Sequence, residues 1–86
     1  MNRLRFLLLV AGFCILVFGV SGQEPQQLIE DGNRAYSDGL YTDAAALYNQ
    51  VVESGFEAPE LYYNLGISYF KLNDLPNAIL WYERAK

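Results

Sequence analysis

Residues 59–86 read PELYYNLGISYFKLNDLPNAILWYERAK, and this stretch decides the fold expected for the whole chain. Its apolar and small residues recur at intervals of three and four along two segments, which is the spacing of two amphipathic helices. A short polar turn around Asn73 separates the two segments. The stretch therefore predicts one helical hairpin.

The same chemistry occurs 34 residues earlier in the chain. Residues 59, 66, 78 and 82 are matched by the earlier residues Pro25, Gly32, Ala44 and Tyr48. A repeat of this period indicates a stacked array of helical hairpins. We expect an all-α fold within residues 23–86, with repeat one at about 25–58 and a truncated repeat two at 59–86. No segment alternates apolar and polar residues for long enough to predict a strand.

Proline, glycine and capping residues mark the expected helix ends. The prolines that fit a first helical turn, where a missing N–H costs nothing, are Pro25, Pro59 and Pro76. Left-handed backbone that closes a helix is expected at Gly39 and Asn73, and Gly55 is expected to end the second helix. Thr42 is expected to cap the second helix, because its hydroxyl could accept a hydrogen bond from the first turn.

Small residues occupy matching interior positions of the two hairpins. Gly32 and Gly66 lie in the middle of predicted helices, where a glycine costs about 1 kcal/mol relative to alanine. Ala44 and Ala78 follow at the same interval in both repeats. Because helices approach closely only where side chains are small, we expect each glycine to face the alanine of its own hairpin.

The second unit resembles a tetratricopeptide repeat. The pattern is an aromatic residue, Leu-Gly, Tyr, Ala, an aromatic residue and Ala, which here are Tyr62, Leu65, Gly66, Tyr69, Ala78, Tyr82 and Ala85. The first unit departs from the pattern at Asp31 and Ala35. The resemblance covers residues 25–86 and implies an α-solenoid fold. It implies packing roles within and between hairpins for Gly32, Ala44, Tyr48, Leu65, Gly66, Tyr69, Ala78 and Tyr82.

The resemblance also implies a binding groove on the concave face, which the first helix of each repeat lines. By position this partner groove contains Ile29, Asn33, Tyr36, Tyr63, Ile67, Phe70 and Lys71, with Gln26, Ser37 and Glu60 beside them. Three of these residues, Tyr63, Ile67 and Phe70, form a second stripe on their helix at helical spacing. Packing against the second helix of the preceding repeat is an alternative role for that stripe.

Some family members bind the C-terminal carboxylates of chaperones through lysines and asparagines. Asn33 and Asn64 occupy the asparagine positions of that clamp. Ile29 stands where its first lysine belongs, and a third repeat is missing. The sequence therefore favours a protein or peptide partner of another kind.

Composition excludes several functional classes. The chain has no histidine, and its one cysteine, Cys14, lies in an N-terminal apolar run, so no thiolate or imidazole is expected in residues 23–86. Ten acidic residues face four basic ones in that range, and the resulting net charge of −6 argues against nucleic acid. We expect no enzyme activity, no cofactor, no metal and no small-molecule substrate.

The N-terminal residues have the order of a secretory signal peptide. Arg3 and Arg5 precede an uncharged apolar run at residues 6–20, and Ser21 and Gly22 supply small residues for cleavage after Gly22. We expect residues 1–22 to direct export to the periplasm or envelope. An uncleaved membrane anchor and a lipoprotein signal at Cys14 are the alternatives.

A narrower likeness accompanies this leader. A signal peptide followed by SGF at 54–56, LYYNLGISYFKL at 61–72 and AILWYERA at 78–85 is similar to the tetratricopeptide proteins of Bat aerotolerance operons. That likeness implies an exported scaffold of an envelope stress assembly, with a membrane protein as partner, and a chain that is the front part of a longer protein. The alternative is an accessory domain of a larger cell-envelope enzyme. Apolar residues at 76–86 also predict self-association.

Overall fold

The computed structural model describes residues 23–86, which form four helices and no strand. The helices are α1 (Pro25–Ser37), α2 (Tyr41–Glu53), α3 (Pro59–Lys71) and α4 (Leu75–Ala85). The predicted all-α fold of two helical hairpins is confirmed. The predicted signal peptide at residues 1–22 lies outside the described residues. Within 23–86, each helix is too short or too polar to cross a membrane.

The helix starts follow from proline and from one acidic cap. Pro25 and Pro59 are the first residues of α1 and α3, and Pro76 lies in the first turn of α4. Asp74 is the N-cap of α4, where its carboxylate accepts hydrogen bonds from the backbone and side-chain nitrogens of Asn77, at 3.3 and 2.8 Å. These bonds satisfy one of the backbone donors that a helix start leaves open.

The expected cap at Thr42 is wrong. Helix α2 begins one residue earlier, at Tyr41, and its N-cap is Leu40. The carbonyl oxygen of Leu40 already accepts the hydrogen bond from the Ala44 amide, at 2.9 Å. Thr42 therefore lies inside the first turn with helical backbone, and no side chain caps this helix.

Left-handed residues close the first three helices, as predicted for Gly39 and Asn73. The positive φ angles are 78° at Gly39, 93° at Gly55 and 64° at Asn73. After α1, the Leu40 amide donates to the Ala35 carbonyl at 2.9 Å, and after α3 the Asp74 amide donates to the Tyr69 carbonyl at 2.9 Å. These six-residue bonds define a Schellman motif, which ends both helices in the same way.

Helix α1 packs on α2, α3 packs on α4, and α2 joins the two hairpins by packing on α3. The buried apolar residues are Leu28, Ala35, Ala44, Ala45, Tyr48, Val51, Leu61, Leu65, Ala78 and Trp81. One polar side chain, Ser68, is fully buried among them, and its hydroxyl donates to the Asn64 carbonyl at 2.8 Å. The core thus runs through both hairpins as one body.

Each interior glycine lies against a tyrosine ring, and this ring, rather than the expected alanine, supplies the atoms nearest to the glycine. A Cβ atom at Gly32 would lie 2.7 Å from Tyr48 Cε1, and one at Gly66 would lie 2.6 Å from Tyr82 Cδ1. A helical side chain leans over the turn that precedes its own Cα. Tyr48 and Tyr82 follow the alanines by one turn, so their rings fill the space beside the glycines. Both alanines are nevertheless buried.

The outer face of α1 is polar. Gln23, Gln27 and Arg34 all donate hydrogen bonds to the Asp31 carboxylate, at 3.0, 3.0 and 3.1 Å. These contacts, with the Gln27 hydrogen bond foremost, hold the pKa of Asp31 below its ordinary value. The residues 34 positions after Gln27, Asp31 and Arg34 are the buried Leu61, Leu65 and Ser68 of α3. Positions that are core in α3 are therefore solvated in α1.

The outer face of α4 is apolar. Leu75, Ile79 and Leu80 are all exposed, and Ile79 retains 60% of its accessible surface. The residue 34 positions before Ile79 is Ala45 of α2, which is buried. The two outer faces of the described helices thus differ in chemistry.

Candidate functional site

A cavity of about 240 Å³ opens between α1 and α3 on the face that the first helix of each hairpin lines. Its walls are Asn33, Tyr36 and Ser37 of α1, Tyr48 of α2, and Asn64 and Ile67 of α3. Three residues of the predicted groove, Asn33, Tyr36 and Ile67, are therefore brought together. Ser37, which was expected beside them, is also in the wall.

The polar part of the cavity wall consists of Asn33, Ser37 and Asn64, and Asn33 is held by the Tyr48 hydroxyl. This hydroxyl donates a hydrogen bond of 2.5 Å to Asn33 Oδ1, which ties α2 to α1. Burial raises the pKa of the Tyr48 phenol, and the nearby Tyr36 phenol raises it further. The phenol therefore stays protonated around neutral pH. Because Tyr48 retains only 2% of its accessible surface, its hydroxyl acts mainly by holding the Asn33 amide in the cavity wall.

A shallower depression of about 360 Å³ adjoins the cavity across Asn64, which borders both. Its other walls are Pro59, Glu60, Tyr63 and Ala85. The Tyr63 ring lies on the ring of Tyr82 in α4, with centroids 5.7 Å apart and planes tilted by 43°. We call the cavity and this depression together the groove.

The phenols of the groove influence one another. Burial raises the pKa of the Tyr82 phenol, and the Tyr63 and Tyr36 phenols raise it further. The interaction links Tyr36 of α1 with Tyr63 and Tyr82 of the second hairpin. Tyr36 and Tyr63, one from each hairpin, both lie in the groove walls.

The remaining residues of the predicted partner groove lie in different places. Phe70 is 57% exposed and Tyr63 is 53% exposed, so packing against α2 does not account for these two side chains. Lys71 is exposed at the last residue of α3. Ile29 is half-buried against the core and does not line the cavity. Gln26 is exposed on α1, where its amide donates to Glu30 at 3.4 Å.

Three groove residues, Tyr48, Pro59 and Ala85, escaped the sequence reasoning. Tyr48 was assigned to packing alone, yet its hydroxyl lines the cavity while its ring packs on Gly32. Its equivalent Tyr82 has Ile67 in place of Asn33, and only the first hairpin therefore has this tyrosine–asparagine pair. That difference was the available signal. Ala85, which comes from the last turn of α4, had no signal beyond the repeat pattern itself.

The groove is suited to holding a ligand by contact. It presents amide, hydroxyl and phenol groups beside the apolar side chain of Ile67, and Glu60 is the only charged residue that the described part of the chain contributes to its walls. Within residues 23–86, no three histidine, cysteine or carboxylate side chains converge where they could hold a metal ion. The chemistry available in the walls is hydrogen bonding and aromatic contact.

Comparison with protein families gives one match. A family model described as a tetratricopeptide repeat matches residues 30–86, from the second turn of α1 to the end of α4. Comparison with curated proteins and with solved structures gives no match. The matched range includes most of the first hairpin, all of the second, and every wall residue of the groove described above.

Proposed function

The chain belongs to the tetratricopeptide repeat family, and from this we propose that it is an interaction scaffold that holds a peptide or helix of a protein partner in the groove. Stacked helical repeats generally use their concave surfaces to bind other proteins. Tetratricopeptide domains are typically non-catalytic, in agreement with the sequence-based expectation that the chain is not an enzyme.

The observation that carries this proposal is the continuity of the groove with exposed apolar side chains. Asn64 joins the cavity to the depression, and Tyr63 borders the depression. Phe70 lies one and two helical turns beyond Ile67 and Tyr63 on the same stripe of α3, and it is exposed. Aromatic side chains beside a pocket are the usual anchors of protein interfaces.

Selection of binding peptides from a random library against the full chain tests the proposal. Phe70→Ala is expected to weaken the selected peptides by about tenfold or more, because truncating an anchor typically costs more than about 1 kcal/mol. Phe56→Ala is the matched control, since Phe56 is also exposed but lies in the loop between α2 and α3. Calorimetry measures affinity, and circular dichroism verifies that helicity is retained.

Three outcomes would count against the groove. The first is a failure to select any peptide that saturates the chain. The second is an equal loss of affinity in Phe56→Ala and Phe70→Ala. The third is a loss of helicity in Phe70→Ala that accounts for the whole change in affinity, because Phe70 would then be part of the fold.

We further propose that the scaffold works after export, in an assembly of the cell envelope that responds to stress and includes a membrane protein. This proposal rests on the arginines, the apolar run and the small residues of 1–22, and on the likeness to the aerotolerance proteins of Bat operons. Intact mass of the exported chain tests it. The mass of a chain that begins at Gln23 would support cleavage after Gly22. A chain that retains Met1 and is found in the cytoplasmic fraction would refute export.

Self-association is the last part of the proposal, and it commits to a second copy of this chain on the outer face of α4. Leu75, Ile79 and Leu80 leave apolar surface exposed there. Head-to-tail contact with α1 of another copy would bury the Asp31–Arg34 ion pair against this apolar face. Burying charges in apolar surroundings is costly, which favours contact between two α4 faces.

A further inference from the structure

We propose that the cavity walled by Asn33, Tyr36, Ser37, Tyr48, Asn64 and Ile67 receives the guanidinium group of an arginine presented by the partner. This inference rests on the proposed function of the groove, and it names the side-chain chemistry that the groove selects. Volume, hydrogen-bonding groups, aromatic rings and charge support it.

The volume fits one long side chain. Pockets for small-molecule ligands usually measure about 300–1,000 Å³, and the cavity at about 240 Å³ lies below that range. The adjoining depression is open and shallow, which leaves room for the backbone of an extended segment. A partner would therefore insert a single side chain into the cavity while its chain continues across Asn64.

The hydrogen-bonding groups can accept from a donor. Tyr48 is 2% exposed and gives its proton to Asn33, so it holds the Asn33 amide in the wall rather than contacting a ligand itself. Ser37 and Asn64 each have an oxygen that can accept a hydrogen bond. A guanidinium group has five N–H donors, so it can donate to both of these side chains.

The aromatic groups favour a flat cation. Tyr36 and Tyr48 lie in the cavity wall, and Tyr63 lies in the adjoining depression. A cation close to a tyrosine ring is attracted by the ring quadrupole, and a planar guanidinium also stacks on such rings more readily than an ammonium group.

The charge distribution admits a cation and repels an anion. Among residues 23–86, no basic residue lines the cavity or the depression, and Glu60 borders the depression. Three of the four basic residues after Gly22 are engaged elsewhere: Arg34 with Asp31, Arg84 over the Trp81 ring and Lys86 with Glu83. Residues 23–86 have a net charge of −6, so an arginine-bearing segment is also attracted at long range.

Short capped peptides test the inference on the full chain without knowledge of the partner. The probes are acetyl-Gly-Xaa-Gly-amide, with Xaa as arginine, citrulline or glutamate. Citrulline has nearly the shape of arginine but no charge. Comparing the two peptides therefore distinguishes recognition of the positive charge from recognition of the side-chain shape. Titration is followed by the NMR shifts of the Asn33 and Asn64 side-chain amides, which border the cavity.

The arginine peptide is expected to shift both amides with an affinity at least about tenfold above that of citrulline, and the glutamate peptide is expected to shift neither. Tyr48→Phe should reduce arginine binding by about tenfold, because it removes the hydrogen bond that holds the Asn33 amide in the cavity wall. Ser37→Ala, at an exposed position, should reduce binding without the loss of the Tyr48–Asn33 bond. Tyr62→Phe is the matched control, since Tyr62 lies on Trp81 and outside the groove walls.

Equal binding of the arginine and citrulline peptides would overturn cation recognition. So would NMR shifts on addition of the glutamate peptide, or the absence of shifts with all three peptides. If binding peptides selected from the library contain no arginine yet lose affinity in Phe70→Ala, the inference fails and the proposed scaffold stands. If Phe70→Ala also has no effect, the scaffold proposal fails with it.

Discussion

The tyrosine rings of α2 and α4 lie directly against the backbone of α1 and α3. At Gly66 the nearest atoms to a Cβ would be Cδ1, Cε1 and Cγ of Tyr82, which form one side of the ring. A contact along the side of the ring cannot be relieved by moving the hydroxyl end alone. Glycine is therefore needed at this position because any side chain would collide with the ring.

Gly66→Ala is expected to destabilise the fold, although alanine is the better helix former. The helix propensity gain of about 1 kcal/mol is exceeded by an overpacking cost of about 1–3 kcal/mol. Thermal or urea unfolding measures the difference. In a Tyr82→Ala background the sign should reverse, because the ring that causes the clash is absent.

An increase in stability for Gly66→Ala with Tyr82 present would contradict the packing described above. The same substitution at Gly32 provides an independent comparison, since Tyr48 lies 2.7 Å from its Cβ position. Both glycines should respond alike.

Residue patterns predicted which positions are small but not what fills the space beside them. The interval from glycine to alanine suggested direct contact, since both residues are small and recur together. The actual neighbour depends on the direction in which the tyrosine leaves its helix, which spacing alone does not contain. For the same reason Tyr48 was predicted as a packing residue, although its ring packs and its hydroxyl lines the cavity.

At the level of the helices, the two hairpins use different starts for their second helix. Asp74 caps α4 through its carboxylate, whereas α2 begins at Tyr41 with no side-chain cap. Asp74 is an N-cap, and Thr42 is one residue past the first helical position. Asp74 should therefore contribute more to stability than Thr42, although each precedes or begins a predicted helix in the sequence.

Asp74→Ala is expected to cost about 0.5–2 kcal/mol of stability, the usual cost of losing a side-chain cap. Thr42→Ala is the matched control and should change stability by less than about 0.5 kcal/mol, as surface substitutions generally do. Urea unfolding of both variants measures the two values. A larger loss for Thr42→Ala than for Asp74→Ala would mean that α2 starts where the sequence suggested.

Helix existence and most helix ends could be predicted because proline and glycine act locally. Pro25 and Pro59 begin helices through their own fixed φ, and Gly39 and Asn73 end them through left-handed backbone. The start of α2 could not be predicted in this way. It depends on the Schellman motif that closes α1, whose last residue, Leu40, is also the N-cap of α2.

At the level of the whole molecule, the outer helices present opposite chemistries. The 34-residue repeat allows equivalent positions to be compared. The polar side chains of α1 at 27, 31 and 34 stand at the positions that are buried in α3 at 61, 65 and 68. Helix α4 instead exposes Leu75, Ile79 and Leu80. The groove could be anticipated in part from the order of the repeats, but its depth could not, because it depends on how α1 and α3 are spaced by α2.

Ile79→Lys is expected to lower the self-association proposed for α4, because a charge would have to be desolvated in the contact between two copies. Sedimentation of the full chain over a range of concentrations measures it. Ala46→Lys is the matched control, since it adds the same charge at an exposed position of α2. A native chain that remains monomeric at every concentration, or an equal effect of both variants, would refute the role of α4.

The polar outer face of α1 also limits how large any such assembly becomes. A surface that pairs with its own copy is fully used once two chains have met, so the resulting two-fold contact closes. Contact between unlike surfaces of successive chains has no such limit and can propagate into a fibre. The Asp31 network, by keeping α1 solvated, therefore acts against polymerisation while leaving the concave surface of each chain open to its partner.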